Sequence, residues 1–426
     1  MSLLLNCLSL SFTSLALQFL MPTRSLPPVA MFLASLQSSA HPSQKVTLPL
    51  PASKISTRQD KKVPFRNIVP KLSDTPVEKP THTKSVSTYQ SSYTLIDLGT
   101  LGGTESGANA INQKGEVVGW SDKGGGSERL LNTDAFLWSQ GVMRSLSLAS
   151  SERPFPGAFA INDRGQVLVK PMPNAPGTTA LNLPIPMYGL LWDHGKVMDL
   201  HTLMPCTLTN KGLVVVSLPV PGSQKYQPGV WRNGVTRPLA PGVEARDVQV
   251  CALNDNGEFA GTETGVGGVE RLFLDHHGEI TFLDLPSGFQ RAEAKLINSR
   301  GQVVIVAWSE TGHASVFFWQ PLSRNRKHQT VSKPMPIRLE GLGGEDHWAY
   351  GLSNSGQVVG SSGGSAFLWN GKKTLDLNTL IPGNSGWKLR EATGINDKGQ
   401  ICGNGLFNDQ KRAFLLTPVK PLSIKR

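Results

Sequence analysis

Cysteine is scarce, with four in 426 residues. Cys7 lies near the start, and Cys206, Cys251 and Cys402 lie far apart. Neither a disulfide framework nor a paired metal-binding spacing is available. Cys402 sits in an apolar run and reads as a buried thiol. Charge is sparse too, at 17% of residues. The formal net charge of +11 suggests a nucleic-acid partner until it is divided. Residues 1–92 hold ten Lys/Arg against three Asp/Glu; the remainder holds 32 against 28, with Lys420, Lys425 and Arg426 in the tail. The body of the chain is almost neutral and lacks the clustered basic surface that a polyanion requires. One basic cluster stands apart, at Arg324, Arg326, Lys327, His328 and Lys333, and reads as a solvated loop. His276-His277 is the only histidine pair. Neighbours on a strand point to opposite faces, so the pair reads as exposed turn residues rather than a metal site.

What the chain does have is repetition. Ala110-Ile111-Asn112-Gln113-Lys114-Gly115-Glu116-Val117-Val118 pairs an Asn–Gly turn with a β-branched run. The turn returns at Asn162/Gly165, Asn210/Gly212, Asn254/Gly257, Asn298/Gly301, Asn354/Gly356 and Asn396/Gly399, with the third copy one residue short. Successive Asn residues are 50, 48, 44, 44, 56 and 42 apart. Such a period predicts a propeller, solenoid or array. Asn can bond the backbone at the start of a type I turn, and Gly can take the left-handed conformation that ends it. The sixth copy reads as four short strands: Tyr350–Ser353, Gln357–Gly360, Ala366–Trp369 and, after the Asn370-Gly371 hairpin, Thr374–Leu377. Four strands per copy fit one propeller blade.

The last copy stops at Ala413–Leu416 without a fourth strand, and Tyr93–Leu98 ahead of the first copy resembles one. Pairing the two closes a ring and removes exposed sheet edges. No polar capping repeats mark a solenoid. The expected fold is all-β: a propeller of seven four-stranded blades closed by the N-terminal strand. The expected layout is a targeting leader (1–40), a disordered Pro/Ser/Lys-rich linker (41–92), the propeller (93–418) and a basic tail (419–426).

Three stretches resemble the HAF-repeat family of bacterial extracellular repeat proteins. They are Leu98-Gly99-Thr100-Leu101-Gly102-Gly103 with Ala110–Gly119 and Ala135–Trp138, then Asp376–Pro382 through Trp387, then Gly394–Ile401 with Ala413–Pro418. The resemblance spans about residues 93–418. It implies a secreted or surface propeller-like domain and supplies no catalytic residues.

The leader supports export. Residues 2–23 are uncharged and apolar but lack a basic start. A better signal begins at Met21, with Arg24, the apolar Leu26–Leu36 and the small Ser38-Ser39-Ala40. On this reading Met21 is the true start and the mature chain begins near His41. An N-terminal membrane anchor and an organellar transit peptide are the alternatives. No other integral membrane segment and no oligomer are expected.

Chemistry is hard to find. Gly360-Ser361-Ser362-Gly363-Gly364 matches the serine-hydrolase elbow, but that motif needs a strand before it and a helix after it. Here it joins two strands. Asp163, Asp255 and Asp397 follow the turn Asn, inviting a calcium reading. Reading Gln113, Lys211, Ser299 and Ser355 at the same place in other copies favours turn chemistry instead. The repeated Trp138, Trp192, Trp231, Trp319 and Trp369 end the third strand and should pack between blades; the fourth copy has Asp275 there. The inner strands offer mainly Ala, Gly, Ile, Leu, Ser and Asn.

Binding residues are expected in the loops of one face. That face gathers Gly102–Ser106, Trp120, Trp308, Glu345–Trp348 and Gly383–Trp387. Trp348 and Trp387 fall just ahead of first strands, and with Glu345, Asp346 and His347 they form the candidate ligand site, against the alternative that each Trp covers its own blade. No catalytic constellation, metal or cofactor is expected. The functional expectation is a non-enzymatic, exported binding module for polysaccharide or a surface protein, without a nucleic-acid partner. Rivals are a propeller-type lyase or hydrolase and a structural cell-envelope repeat.

Overall fold

In the computed structural model the described residues are 92–124, 132–150, 156–171, 189–200, 205–220, 222, 226–239, 247–264, 270–283, 287–321 and 336–419. The leader, the linker up to residue 91, the basic cluster at 324–333 and the tail beyond residue 419 lie outside them. The described residues form seven four-stranded antiparallel sheets arranged as a seven-bladed β-propeller. Their first strands are Ser106–Ile111, Pro156–Ile161, Pro205–Leu208, Asp247–Leu253, Phe289–Ile297, His347–Leu352 and Trp387–Ile395. Each first strand touches those of both neighbouring blades, so together they form a closed inner ring. Among the described residues no helix is long and apolar enough to cross a membrane.

The β-branched runs become second strands because those strands are covered on both faces by adjacent blades. Val303, Val304, Ile305, Val306 and Ala307 are all fully buried. Successive side chains alternate between two inter-blade cores: Val303 and Ile305 pack toward blade four, Val304 and Val306 toward blade six. The third-strand tryptophans do pack between blades. Trp138 lies against Cys402 and Leu415 of blade seven, Trp231 against Leu168 and Leu191 of blade two, and Trp369 against Val304 and Phe318 of blade five. Cys402 is buried as expected, and burial pushes its thiol up to about 12. His276-His277 falls at a hairpin, where His277 takes a left-handed φ of 55° beside Gly278, and His276 leans on Glu258.

Closure follows the expected pairing. Tyr93–Asp97 runs antiparallel to Gln410–Pro418, with Leu95 opposite Leu416 and Asp97 opposite Phe414. Leu98 N donates to Ala413 O at 3.0 Å.

The Asn turns do more than reverse the chain. In five blades the motif Asn (112, 162, 254, 298, 396) accepts two backbone N–H groups of its own turn through Oδ1. Its Nδ2 donates to the Glu or Gln four residues on, and also to a backbone carbonyl of the next blade's turn. In copies three and six the turn starts one residue earlier than the Asn suggests. Thr209 and Ser353 occupy the motif position, and their hydroxyls accept the N–H of Leu213 and Gln357 at 3.1 Å. This corrects the alignment at the following position. It holds Asn210 and Asn354, not Lys211 and Ser355. Nor does its side chain serve its own turn. Asp163 accepts Gln113 N, Asn210 accepts Asp163 N, Asn354 accepts Ser299 N, Asp397 accepts Asn354 N, and Gln113 accepts Asp397 N across the closing junction. These carboxylates and amides are inter-blade clasps, and they knit the turn face of the ring together.

Each first strand also carries a bulge at the same place, three residues before the turn residue. The extra residues are Asn109, Phe159, Cys206, Cys251, Lys295, Tyr350 and Thr393. Two of them link blades directly, Asn109 Nδ2 to Ala158 O at 2.8 Å and Thr393 Oγ1 to Ala108 O at 3.0 Å.

Candidate functional site

The five expected ligand residues fall on two neighbouring blades, Glu345–Trp348 at the start of blade six and Trp387 at the start of blade seven. His347 and Trp348 belong to the first strand of blade six, and Trp387 opens that of blade seven; they are strand residues, not loop residues ahead of strands. Trp120 and Trp308 are likewise second-strand residues, and Trp120 is only 1% exposed. His347 is 6% exposed and sits 4.6 Å from the Phe367 ring. Burial lowers its pKa to about 4, against a hydrogen bond to the Leu339 backbone and with help from the Arg338 charge, so the ring is uncharged at neutral pH. Asp346 Oδ1 accepts Ala314 N at 3.2 Å, and His313 stands 3.7 Å from Glu345 and 3.9 Å from Asp346. Trp348 stays partly exposed and meets Trp308 edge-on at 5.9 Å. Trp387 is partly exposed, stacks on Phe407 at 5.3 Å and meets Phe414 edge-on at 6.0 Å, all within blade seven.

Ser362 of the elbow-like motif is a loop anchor. Its Oγ accepts Leu342 N at 2.9 Å, and Ser121 Oγ accepts Leu101 N at the same distance. The two serines pin matching Leu-Gly-Gly loops, Leu98–Gly103 and Leu339–Gly344. A side chain on Gly103 would meet Asp122 at 2.3 Å, and one on Gly344 would meet Gly363 at 2.8 Å, so both loops press against the hairpins that hold them. A strand, not a helix, follows Ser362.

The inner strands carry a polar constellation that the composition of the repeats concealed. In blade five Arg291, Glu293 and Lys295 alternate with Ala292 and Ala294, which pack into the core shared with blade four. The Glu293 carboxylate is held by both Arg291 and Lys295. Arg291 also lies 3.8 Å from Glu270, a carboxyl that burial raises, with Arg291 opposing and Glu293 adding to the shift. Both cations stand over the Trp308 ring, at 5.0 Å and 5.9 Å. Blade six adds Trp348 against Trp308, and Tyr350, whose hydroxyl accepts from Ser361 at 3.4 Å. Blade seven adds Glu391, hydrogen-bonded by Asn404 at 3.4 Å. Burial raises the Tyr350 pKa, and the Glu391 charge adds to it. Strand register sets Glu293, Trp348 and Glu391 at one level of the ring, with Gly107 and Gly157 at that level in blades one and two. The sequence signal was present: Arg-Ala-Glu-Ala-Lys is a period-two charge pattern on a strand expected to be apolar.

No family model matches the chain, and no curated protein matches it. Among solved structures it is similar to a prolyl endopeptidase (TM-score 0.45, 11% identity, 75% of this chain and 51% of that one). It is also similar to a puromycin-hydrolysing peptidase of Mycobacterium tuberculosis (TM-score 0.43, 10% identity, 78% and 55%). A third likeness is to the β-propeller domain of the Trilobed protease of Pyrococcus furiosus (TM-score 0.38, 12% identity, 63% and 81%). The chain spans about half the length of the first two.

Proposed function

We propose that this protein is an exported, monomeric, non-enzymatic propeller of the HAF-repeat kind that binds polysaccharide or a surface protein. One observation carries the reading. The turn face is consumed by inter-blade hydrogen bonds, whereas the opposite end of the first strands presents Trp348 and Trp387 partly exposed. Rigid scaffolds with aromatic side chains at one rim suit recognition. The Ser of the elbow-like motif is spent on a loop, which weakens the hydrolase alternative.

A glycan and surface-protein binding screen tests this. Trp348→Ala or Trp387→Ala should weaken binding several-fold, since an aromatic contact contributes on the order of 1 kcal/mol beyond area burial. Trp369→Ala should instead cost roughly 3–5 kcal/mol of stability. If the two rim variants bind like wild type, the assignment of the rim is wrong. Export has its own check. Edman sequencing of the native protein should start near His41, and an intact leader on a cytosolic protein refutes it.

A further inference from the structure

We infer that the inner wall of blades five to seven is a binding site for a neutral oligosaccharide, with Trp348 as the stacking surface between the Glu293 and Glu391 carboxylates. The inference rests on the binding-module reading and specifies its ligand and location. Three observations support it.

The first is continuity. Ion pairs join Arg291, Glu293 and Lys295; cation–π contacts join the two cations to Trp308; an edge contact joins Trp308 to Trp348; and Tyr350 lies within electrostatic reach of Glu391. One patch thus crosses three blades, with Glu293, Trp348 and Glu391 at a single level of the ring.

The second is charge. Lys295, with its side chain 8% exposed, is already neutralised by Glu293, and Arg291 is shared between Glu293 and Glu270. Arg291 and Lys295 stand against Glu270, Glu293 and, at the level of Glu293, Glu391: two positive charges against three negative, a net charge of only minus one. Such a wall offers donors and acceptors fixed in place but little net field. A polyanion or polycation would have to break these pairs, and leaving a buried charge unpaired is costly. Sugar hydroxyls both donate and accept, so they can use the free lone pairs and N–H groups without breaking anything.

The third is shape. A pyranose ring presents an apolar C–H face that can lie on the partly exposed Trp348 while its rim hydroxyls reach the flanking carboxylates. An extended acidic peptide has no such face. Among the described residues, the charged and aromatic side chains at this level stand on blades five to seven, with Gly107 and Gly157 on blades one and two and Gln249 on blade four.

The test uses the full chain and isothermal titration calorimetry. Cellohexaose, maltohexaose and xylohexaose are the neutral probes; hexagalacturonate and an oligo-aspartate peptide are the charged ones. At least one neutral hexasaccharide should bind, with affinity changing less than about twofold between about 50 and 500 mM NaCl. Glu391→Gln keeps the side-chain shape and leaves Asn404 an acceptor, so the variant should melt like wild type yet bind about fivefold more weakly. Trp348→Ala should lose about fivefold or more, and Trp348→Phe should recover part of the loss. Binding of a charged probe alone, with steep salt dependence, overturns the neutral-ligand inference and leaves the module reading standing. So does neutral binding that is indifferent to both Glu391→Gln and Trp348→Ala, which places the ligand elsewhere. Release of reducing ends from a bound hexasaccharide removes the non-enzymatic reading and leaves the site. Failure of every saccharide overturns the inference, and the surface-protein screen then decides the module reading separately.

Discussion

Deleting residues 1–100 should collapse the stability of the propeller, whereas deleting residues 1–88 should leave it unchanged. The longer deletion removes the strand Tyr93–Asp97, the fourth strand of blade seven. It also removes Tyr93 and Leu98, which are 2% and 4% exposed, from two separate inter-blade cores. Burying each large apolar side chain contributes about 1.5–3 kcal/mol, so their loss alone costs about 3–6 kcal/mol. The backbone cost adds to this. Ala413–Pro418 would become an unpaired edge rich in Phe414, Leu415 and Leu416, a template for aggregation. At about 2.1 cal/mol/K per residue, a propeller spanning residues 93–418 loses roughly 1.5 °C per kcal/mol, so the melting temperature should fall by about 5–10 °C. Scanning calorimetry on both truncations decides the matter. Coincident melting curves would mean that the ring does not depend on its N-terminal strand.

This much was legible from sequence because the information is local. A type I turn needs a residue that bonds its own backbone and a residue that tolerates positive φ, and both leave letters at fixed spacing. The missing fourth strand at the end and the spare strand at the start are likewise visible as letters. Two things were not. The turn position tolerates any side chain that can accept the N–H four residues on, so Thr209 and Ser353 replace Asn without changing the fold. A neighbouring Asn then counterfeits the motif one residue late, and the clasp residues Asn210 and Asn354 are misread as turn residues. The inner wall was hidden for a different reason. Arg291, Glu293 and Lys295 alternate with alanines as on any half-exposed strand, and only the folded ring brings them beside Trp308 and, through it, Trp348 of the next blade. Glu345-Asp346-His347 reads as a polar loop, yet His347 is core because its strand begins there and Phe367 covers it.

The turn Asn makes the second large prediction. Asn298→Ala should destabilise the domain by about 4 kcal/mol or more, because four hydrogen bonds at about 1 kcal/mol each disappear and buried polar partners lose theirs. Asn298 Oδ1 accepts Arg300 N and Gln302 N at 3.0 Å; Nδ2 donates to Gln302 Oε1 at 2.6 Å and to Ser353 O of blade six at 3.0 Å. The residue is 4% exposed, so water cannot readily replace these partners. The protein supplies its own control. Blade six uses Ser353 at this position, which serves its own turn through the Gln357 N–H but makes no amide donation to blade seven. Asn298→Ser should therefore keep the accepted Gln302 N–H but lose both Nδ2 donations, to Gln302 and to Ser353, costing about 2 kcal/mol. Asn298→Asp keeps the two accepted N–H groups but turns a carboxylate oxygen toward Ser353 O and Gln302 Oε1, so it should be worse than Ser. Urea unfolding with unchanged m-values measures the series. The order Ala worst, Asp between, Ser mildest separates the N–H groups that the side chain accepts from the donations that it makes. If Ser is as damaging as Ala, the accepted N–H contributes nothing, and the stability that the repeated Asn supplies resides in its two Nδ2 donations.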